Sequence, residues 1–342
     1  MKKRTQLFLS ICLISAIVST AFAQKVASTS MQFLKVAPCA RATALGDAYS
    51  VWASGAEAAF WNPSGTALTE NYDISATFTQ WIFDARQGAL SFASSLGSYG
   101  ALGVHLQYVD YGTFEEAVLY RPAVKELPDP GLTGVTFHPF SYVAGLTYAK
   151  SLTEKFSVGV TFKYAYESLY NGSDIVYADA NGATTSYKTF ASAYLFDFGI
   201  RYNTGFKTIQ VGAAIQNFGP DFVYAIEKEH APMSFRVGVA ADLVGSNSLL
   251  LESSDYRLGL AFDLFQPNDY EQQEHVGIEL ELLHFLALRA GYKSNYDTEG
   301  LTLGGGIRTS LTGMNLRLDY SFGSLGTYLG NTHRISLGVE PQ

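Results

Sequence analysis

The chain has 342 residues and a formal net charge of −8, with 47% hydrophobic, 14% aromatic and 16% charged residues. The acidic balance argues against nucleic acid as a partner. Two cysteines, Cys12 and Cys39, are the only ones present, and beyond residue 23 no apolar run approaches the roughly 18 to 20 residues that a membrane-spanning helix requires.

Residues 1–23 open with Lys2, Lys3 and Arg4, continue through an apolar run from Leu7 to Val18, and end in Ala21-Phe22-Ala23. This is the pattern of a secretory signal peptide cleaved after Ala23, so the mature chain is expected to be exported. Cys12 sits inside the apolar run rather than just after it, which rules against a lipoprotein anchor. Its removal leaves Cys39 alone, with neither a disulfide nor a cysteine metal site available. Residues 24–71 are rich in Ala and other small residues and lack sustained alternation. They are expected to form a plug-like or periplasmic segment that does not span a membrane.

From residue 72 to the end the texture changes to strict alternation. In Met314 to Phe322, Met314, Leu316, Leu318, Tyr320 and Phe322 fall on one face and Asn315, Arg317, Asp319 and Ser321 on the other. Fourteen such segments can be marked, at 72–80, 86–96, 99–110, 138–150, 154–169, 189–203, 206–217, 231–244, 255–266, 273–284, 285–296, 300–310, 314–323 and 331–340. A nine-residue strand tilted by about 45° rises roughly 20 Å, close to the apolar band of about 25 Å that membrane barrels present to lipid. In lipid every backbone polar group needs an internal partner, so a spanning sheet must close, with apolar residues outward and polar residues toward a lumen. A soluble antiparallel sheet also alternates, with the opposite face buried, but would normally be built from shorter strands. The expected fold is an all-β, transmembrane antiparallel barrel of about fourteen strands over residues 72–342.

The expected lumen carries Arg201, Arg236, Arg257, Arg289, Arg308, Arg317 and Arg334 among Asp197, Asp242, Asp263, Glu279, Glu281 and Asp319. Such a mixture is expected to pair into a structural network rather than to form a substrate site. The connections alternate in length, with short turns at one end and long stretches at 111–137, 170–188 and 218–230 at the other, as outer-membrane barrels require. In the longest stretch Tyr111, Phe114, Leu119, Tyr120 and Leu132 are candidate partner-binding residues, since loops on a rigid scaffold often carry binding. The plainer reading is that they cover the mouth.

Two stretches resemble a known family. Ala40-Arg41-Ala42-Thr43-Ala44-Leu45-Gly46-Asp47-Ala48 followed by Ala59-Phe60-Trp61-Asn62-Pro63-Ser64-Gly65 resembles the N-terminal signature of the PorV/PorQ family, relatives of FadL-type fatty-acid channels. Leu329-Gly330-Asn331-Thr332-His333-Arg334 resembles that family's closing strand. The resemblance singles out Arg41, Gly46, Asn62, Pro63 and Gly65 as plug-motif positions and Gly330, Asn331, His333 and Arg334 as closing-strand positions. The chain departs from the pattern in having Ser54-Gly55 where the family often has two acidic residues, and in ending Val339-Glu340-Pro341-Gln342 rather than on an aromatic residue.

The resemblance implies a FadL-like barrel of the bacterial outer membrane with an N-terminal segment in or near the lumen. It implies a noncatalytic role in type IX protein secretion and surface attachment, with a translocon barrel and secreted cargo signal domains as protein partners and lipid around the wall. The alternative is a FadL-like transporter of hydrophobic small molecules with a movable plug. Neither reading calls for a cofactor. An enzyme is not supported, because His105, His138, His230, His275, His284 and His333 are scattered singly and no Gly-x-Ser-x-Gly elbow is present. Gly304-Gly305-Gly306 lies inside a strand and opens no helix, so it reads as a bend or a place of close approach rather than a phosphate loop.

Overall fold

The computed structural model describes residues 28–117, 131–178 and 184–341. The expected signal peptide and the loop residues Leu119 and Tyr120 lie outside the described residues.

Fourteen strands form the wall: β1 Tyr72–Gln80, β2 Arg86–Ser95, β3 Ala101–Asp110, β4 Phe140–Ser151, β5 Phe156–Ser168, β6 Phe190–Asn203, β7 Gln210–Phe218, β8 Ser234–Gly245, β9 Tyr256–Pro267, β10 Gln273–Leu282, β11 Leu286–Ser294, β12 Leu301–Leu311, β13 Met314–Ser324 and β14 Asn331–Pro341. Each pairs antiparallel with the next. β14 returns to β1 in a register that sets Gln80 opposite His333 and Ile74 opposite Val339, which closes the barrel and leaves no edge.

Burial shows the inversion directly. On β1, Asp73, Ser75, Thr77 and Thr79 are buried, while Phe78 is 53% exposed. On β10, His275 and Glu279 are 0% exposed and Val276 and Ile278 are 41% and 39% exposed. A water-soluble sheet would bury the other face.

Two local features differ from the sequence expectation. β7 begins at Gln210 rather than 206, because Thr204 N bonds back to Ile209 O and Lys207 takes a φ of +52°, so these residues turn instead of extending. The long connections are not featureless either. They hold short hairpins at Phe114–Ala117 with Leu132–Phe137, Ile175–Ala178 with Thr184–Tyr187, and Phe222–Tyr224 with Glu227–Glu229.

Residues 28–71 fill the barrel. A 3-10 turn at Gln32–Lys35, the helical turn α1 at Ala40–Ala44 and two more 3-10 turns at Gly55–Phe60 and Pro63–Leu68 follow one another. Ala40, Ala42, Ala44 and Leu45 have no exposed surface. The segment starts at the end of the barrel that carries the long loops, where Ser30 N donates to His230 O and Lys35 Nζ reaches Asp269 between β9 and β10. It leaves at the opposite end through Thr69, where β1 begins. Its small side chains are what let folded backbone fit inside the wall.

Candidate functional site

The plug meets the wall backbone to backbone. On β10 and β11, Gly277 and Gly291 face Leu45 and Gly46 so closely that a Cβ on either would collide with plug main chain. Gly304 on β12 faces the Ala44 methyl as closely, Gly159 on β5 faces the Pro63 main chain, and Gly199 on β6 faces the Asn62 side chain and Pro63. Each of these glycines falls on the lumen face of its strand, where a side chain would hold the plug away. Gly46 adds a φ of +62° to its close approach, which reserves that position for glycine.

Polar anchors fix the fit. Asn62 is 1% exposed and uses its whole amide. Nδ2 donates to Ser50 O (2.9 Å) and to Ile200 O on β6 (3.1 Å), while Oδ1 accepts from Ser64 N (3.2 Å) and Ser64 Oγ (2.7 Å). It thereby caps the Pro63–Leu68 turn, with Pro63 at the first position where no N–H is needed. A Cβ on Gly65 would strike the Ala53 carbonyl. Asp263 on β9 accepts from Tyr49 N (3.2 Å), Ser50 N (3.0 Å) and Ser50 Oγ (2.8 Å), so it holds the plug more than it joins a charge network.

A buried charge cluster centres on Glu279, which no solvent reaches. It accepts from Arg41 of the plug through Nε (3.0 Å) and Nη2 (2.8 Å), from Arg257 (2.8 Å) and from Arg289 (2.5 Å). Arg289 goes on to Asp319 (2.6 Å), Arg257 to Asp242 (2.9 Å), and Arg308 to Glu281 (2.9 Å). A separate group of three joins Arg317 to Asp73 (2.7 Å) and Glu340 (3.3 Å). One carboxylate shared by three guanidiniums satisfies its own lone pairs and leaves positive charge to be balanced by neighbouring acids.

Several expected network members stand elsewhere. Among the described residues Arg201 meets no carboxylate and donates to Gln210 (2.5 Å), while Asp197, four residues earlier on the same strand, is held by Lys163 (2.7 Å) and the Asn217 N–H (2.7 Å). Arg334 donates to Ala37 O (3.0 Å) and Thr332 Oγ1 (3.1 Å), so this closing-strand residue grips the plug. In the same motif Gly330 takes a φ of +75° at the turn into β14, Asn331 is exposed at its start, and His333 Nδ1 lies 2.8 Å from Tyr320 OH on the lipid face. Tyr111 is half-buried. It packs against the cluster of Met31, Val109 and Val143 and accepts from Ser141 Oγ (3.2 Å). Phe114 is 47% exposed and stacks on Phe137, and Leu132 is half-buried in the same hairpin.

Sequence reasoning missed Asp47, Glu57, Asp73, Lys163 and Lys293. Lys163 and Lys293 sit on the polar face of alternating strands and were legible there; Asp47 and Glu57 lie in the irregular plug, where no period marks them. Lys293 pairs with Asp47 and Glu299. Burial pushes the Asp47 carboxyl up, but Lys293, with His275 and Arg236, outweighs this and holds it below the usual carboxylate range. Burial pushes the Glu57 carboxyl up, with Arg317 only partly opposing, while Ser75 Oγ donates to it (2.9 Å). Among the described residues no three His, Cys, Asp or Glu side chains come together as a metal site.

Above the plug, toward the long loops, lies a chamber of about 300 Å³. Its floor is Phe60 and Trp61, and its sides include His105, Lys163, Arg236, Phe265 and Lys293.

The model of the family described as type IX secretion system protein PorV matches residues 19–253. No curated protein matches the chain. Among solved structures it is similar to the Pseudomonas putida toluene transporter TodX, at 12% identity and a TM-score of 0.53, over 87% of this chain and 95% of that one. It is also similar to the CymD monoaromatic hydrocarbon channel, at 13% identity and a TM-score of 0.52, over 93% of this chain and 97% of that one. At these identities the structural likeness speaks for the fold alone. With the inverted, closed fourteen-strand wall and a family match over more than half of its length, the chain belongs to the PorV family of type IX secretion system proteins and is a FadL-like barrel of the bacterial outer membrane.

Proposed function

We propose that this protein is a noncatalytic, protein-binding barrel that engages the translocon, the signal domains of secreted cargo, or both, in type IX secretion and surface attachment. The observation that carries the reading is the packing of the plug. Glycines of the wall touch its backbone, and Arg41, Ser50 and Asn62 tie it to β10, β9 and β6. A lumen filled this way favours work done on the outer surface. There the hairpins carry exposed apolar side chains, including Phe114, Val135, Val223 and Ile226, more than a merely solvated rim needs.

The test is affinity purification of the tagged protein from its own outer membrane in mild detergent, followed by mass spectrometry and native sizing. A stoichiometric translocon barrel or signal-domain cargo is expected. Recovery of a clean monomer carrying lipid would overturn the reading in favour of the alternative, transport of hydrophobic small molecules, to which the chamber above the plug lends support.

A further inference from the structure

At the short-turn end of the barrel, positive charge gathers on one side of the wall. Lys150 lies near the end of β4, Lys155 in the β4–β5 turn and Lys207 in the β6–β7 turn, while the other short turns carry neither Lys nor Arg. Lys155 and Lys207 are exposed and Lys150 is half-buried. Among the described residues none of the three ammonium groups has a carboxylate or a hydrogen-bonding partner. Glu154 is the one acid in these two turns, and the next short connection, 246–255, reverses the sign with Glu252 and Asp255. A Cβ on Gly205 would strike the Lys155 ammonium, so that cation lies over the neighbouring turn, the one that carries Lys207.

Lys150 shares the outward face of β4 with the exposed Leu146 and Tyr148. A charge on the lipid face is costly in the middle of the wall and tolerated near its end, where a lysine reaches the headgroups. In register, Lys150 begins a row that runs through Val158 on β5, Ile200 on β6, Ala213 on β7 and Val237 on β8. Ala213 is the small member of that row. The next row toward the long loops holds Phe198, Ile215 and Phe235. Between the two rows lies a dent of about 320 Å³ on the outside of the wall, where every lining side chain is apolar. Ile200 is three residues from Asn203, whose N–H donates to Lys155 O (2.7 Å), so the cations stand roughly 10 Å from the dent along the strand. The short turns of an outer-membrane barrel lie at the inner leaflet. The lysines are therefore at headgroup level and the dent among the acyl chains, with the exposed Tyr202 between them on the outward face of β6.

We propose that the outer face of β4 to β8 holds an anionic phospholipid of the inner leaflet, with its phosphate on Lys150, Lys155 and Lys207 and an acyl chain in the dent at Ala213. A zwitterionic lipid would fill the dent equally well, but its own ammonium would offset the attraction of the lysines. The site lies outside the wall, so it is independent of the plug and of protein docking at the long loops.

The experiment adds phosphatidylglycerol or phosphatidylcholine with identical chains to the purified, delipidated full-length protein in detergent, and native mass spectrometry measures the lipid retained. Phosphatidylglycerol is expected to bind roughly tenfold more tightly, since each lysine near a membrane surface adds to the attraction for anionic lipid. Lys150→Gln, Lys155→Gln and Lys207→Gln combined should remove that preference. Ala213→Leu, which fills the dent, should weaken retention of phosphatidylglycerol with the lysines intact. Heat-modifiable migration shows that each variant keeps its barrel. Equal retention of the two lipids by the unaltered protein overturns the proposal, as does a preference that survives the loss of all three lysines. Undiminished retention by Ala213→Leu overturns the seat assigned to the chain.

Discussion

Glu279 is the residue on which the lumen's electrostatics turn. Replacing it by Gln keeps the shape but leaves Arg41, Arg257 and Arg289 facing an uncharged amide. Breaking a buried pair by removing one partner costs about 3–5 kcal/mol, so Glu279→Gln should unfold at clearly lower denaturant, read by heat-modifiable migration. Arg201→Gln is the contrast. Among the described residues that side chain bonds only Gln210, and its replacement should shift stability by less than about 1 kcal/mol; an equal loss for both variants would count against a network centred on Glu279. Gly291 makes a different point at the same scale. A side chain there must displace Leu45 and Gly46 backbone, and overpacking costs about 1–3 kcal/mol. Gly291→Val should therefore expose the plug to limited proteolysis, while the same change at Gly88, which faces open space, should not.

At the scale of elements, the entry of the plug and the outer hairpins can be separated. The turn Gln32–Lys35 is held at the mouth by Asp269, which accepts from Thr29 (2.5 Å), Gln32 (2.8 Å) and Lys35 (2.9 Å). Burial raises the Asp269 carboxyl, but these three donors prevail and hold it below its ordinary value. A depressed folded value means that the contribution is fully present above the unfolded value of about 4 and is lost as pH falls through the lower folded value. Hydrogen exchange of residues 29–36, corrected for its intrinsic pH dependence, should be constant from neutral pH down to about 4 and rise below it. Unchanged protection below that point would remove Asp269 as the anchor. On the partner side, Ile226 is 74% exposed at the tip of the Phe222–Tyr224 and Glu227–Glu229 hairpin. Ile226→Asp should weaken capture of protein partners in the affinity purification while leaving heat-modifiable migration unchanged. Undiminished capture would place docking elsewhere on the rim.

For the whole molecule, the expected consequence of a filled lumen is electrical. Reconstituted in a planar bilayer, the intact protein should show no steady conductance steps, because Arg41, Asn62 and Ser50 tie plug to wall on several strands at once; a persistent open channel would contradict the packed plug. The wall itself was legible in the sequence. Period-two alternation and the rule that backbone must be satisfied in lipid gave its fourteen strands, because both act between residues close along the chain or on every residue alike. β7 was misjudged at its start because Thr204 and Lys207 make a turn that alternation does not report. The plug's position was not legible in the same way, since its contacts with the wall join residues far apart along the chain, as Asn62 does with Ile200 and Arg41 with Glu279. The partners of the lumen charges were likewise undetermined: alternation puts Arg201 and Arg236 on the inner face, but only the closed wall with the plug inside it decides that one meets Gln210 and the other lies between two rings with Asp263 3.6 Å away.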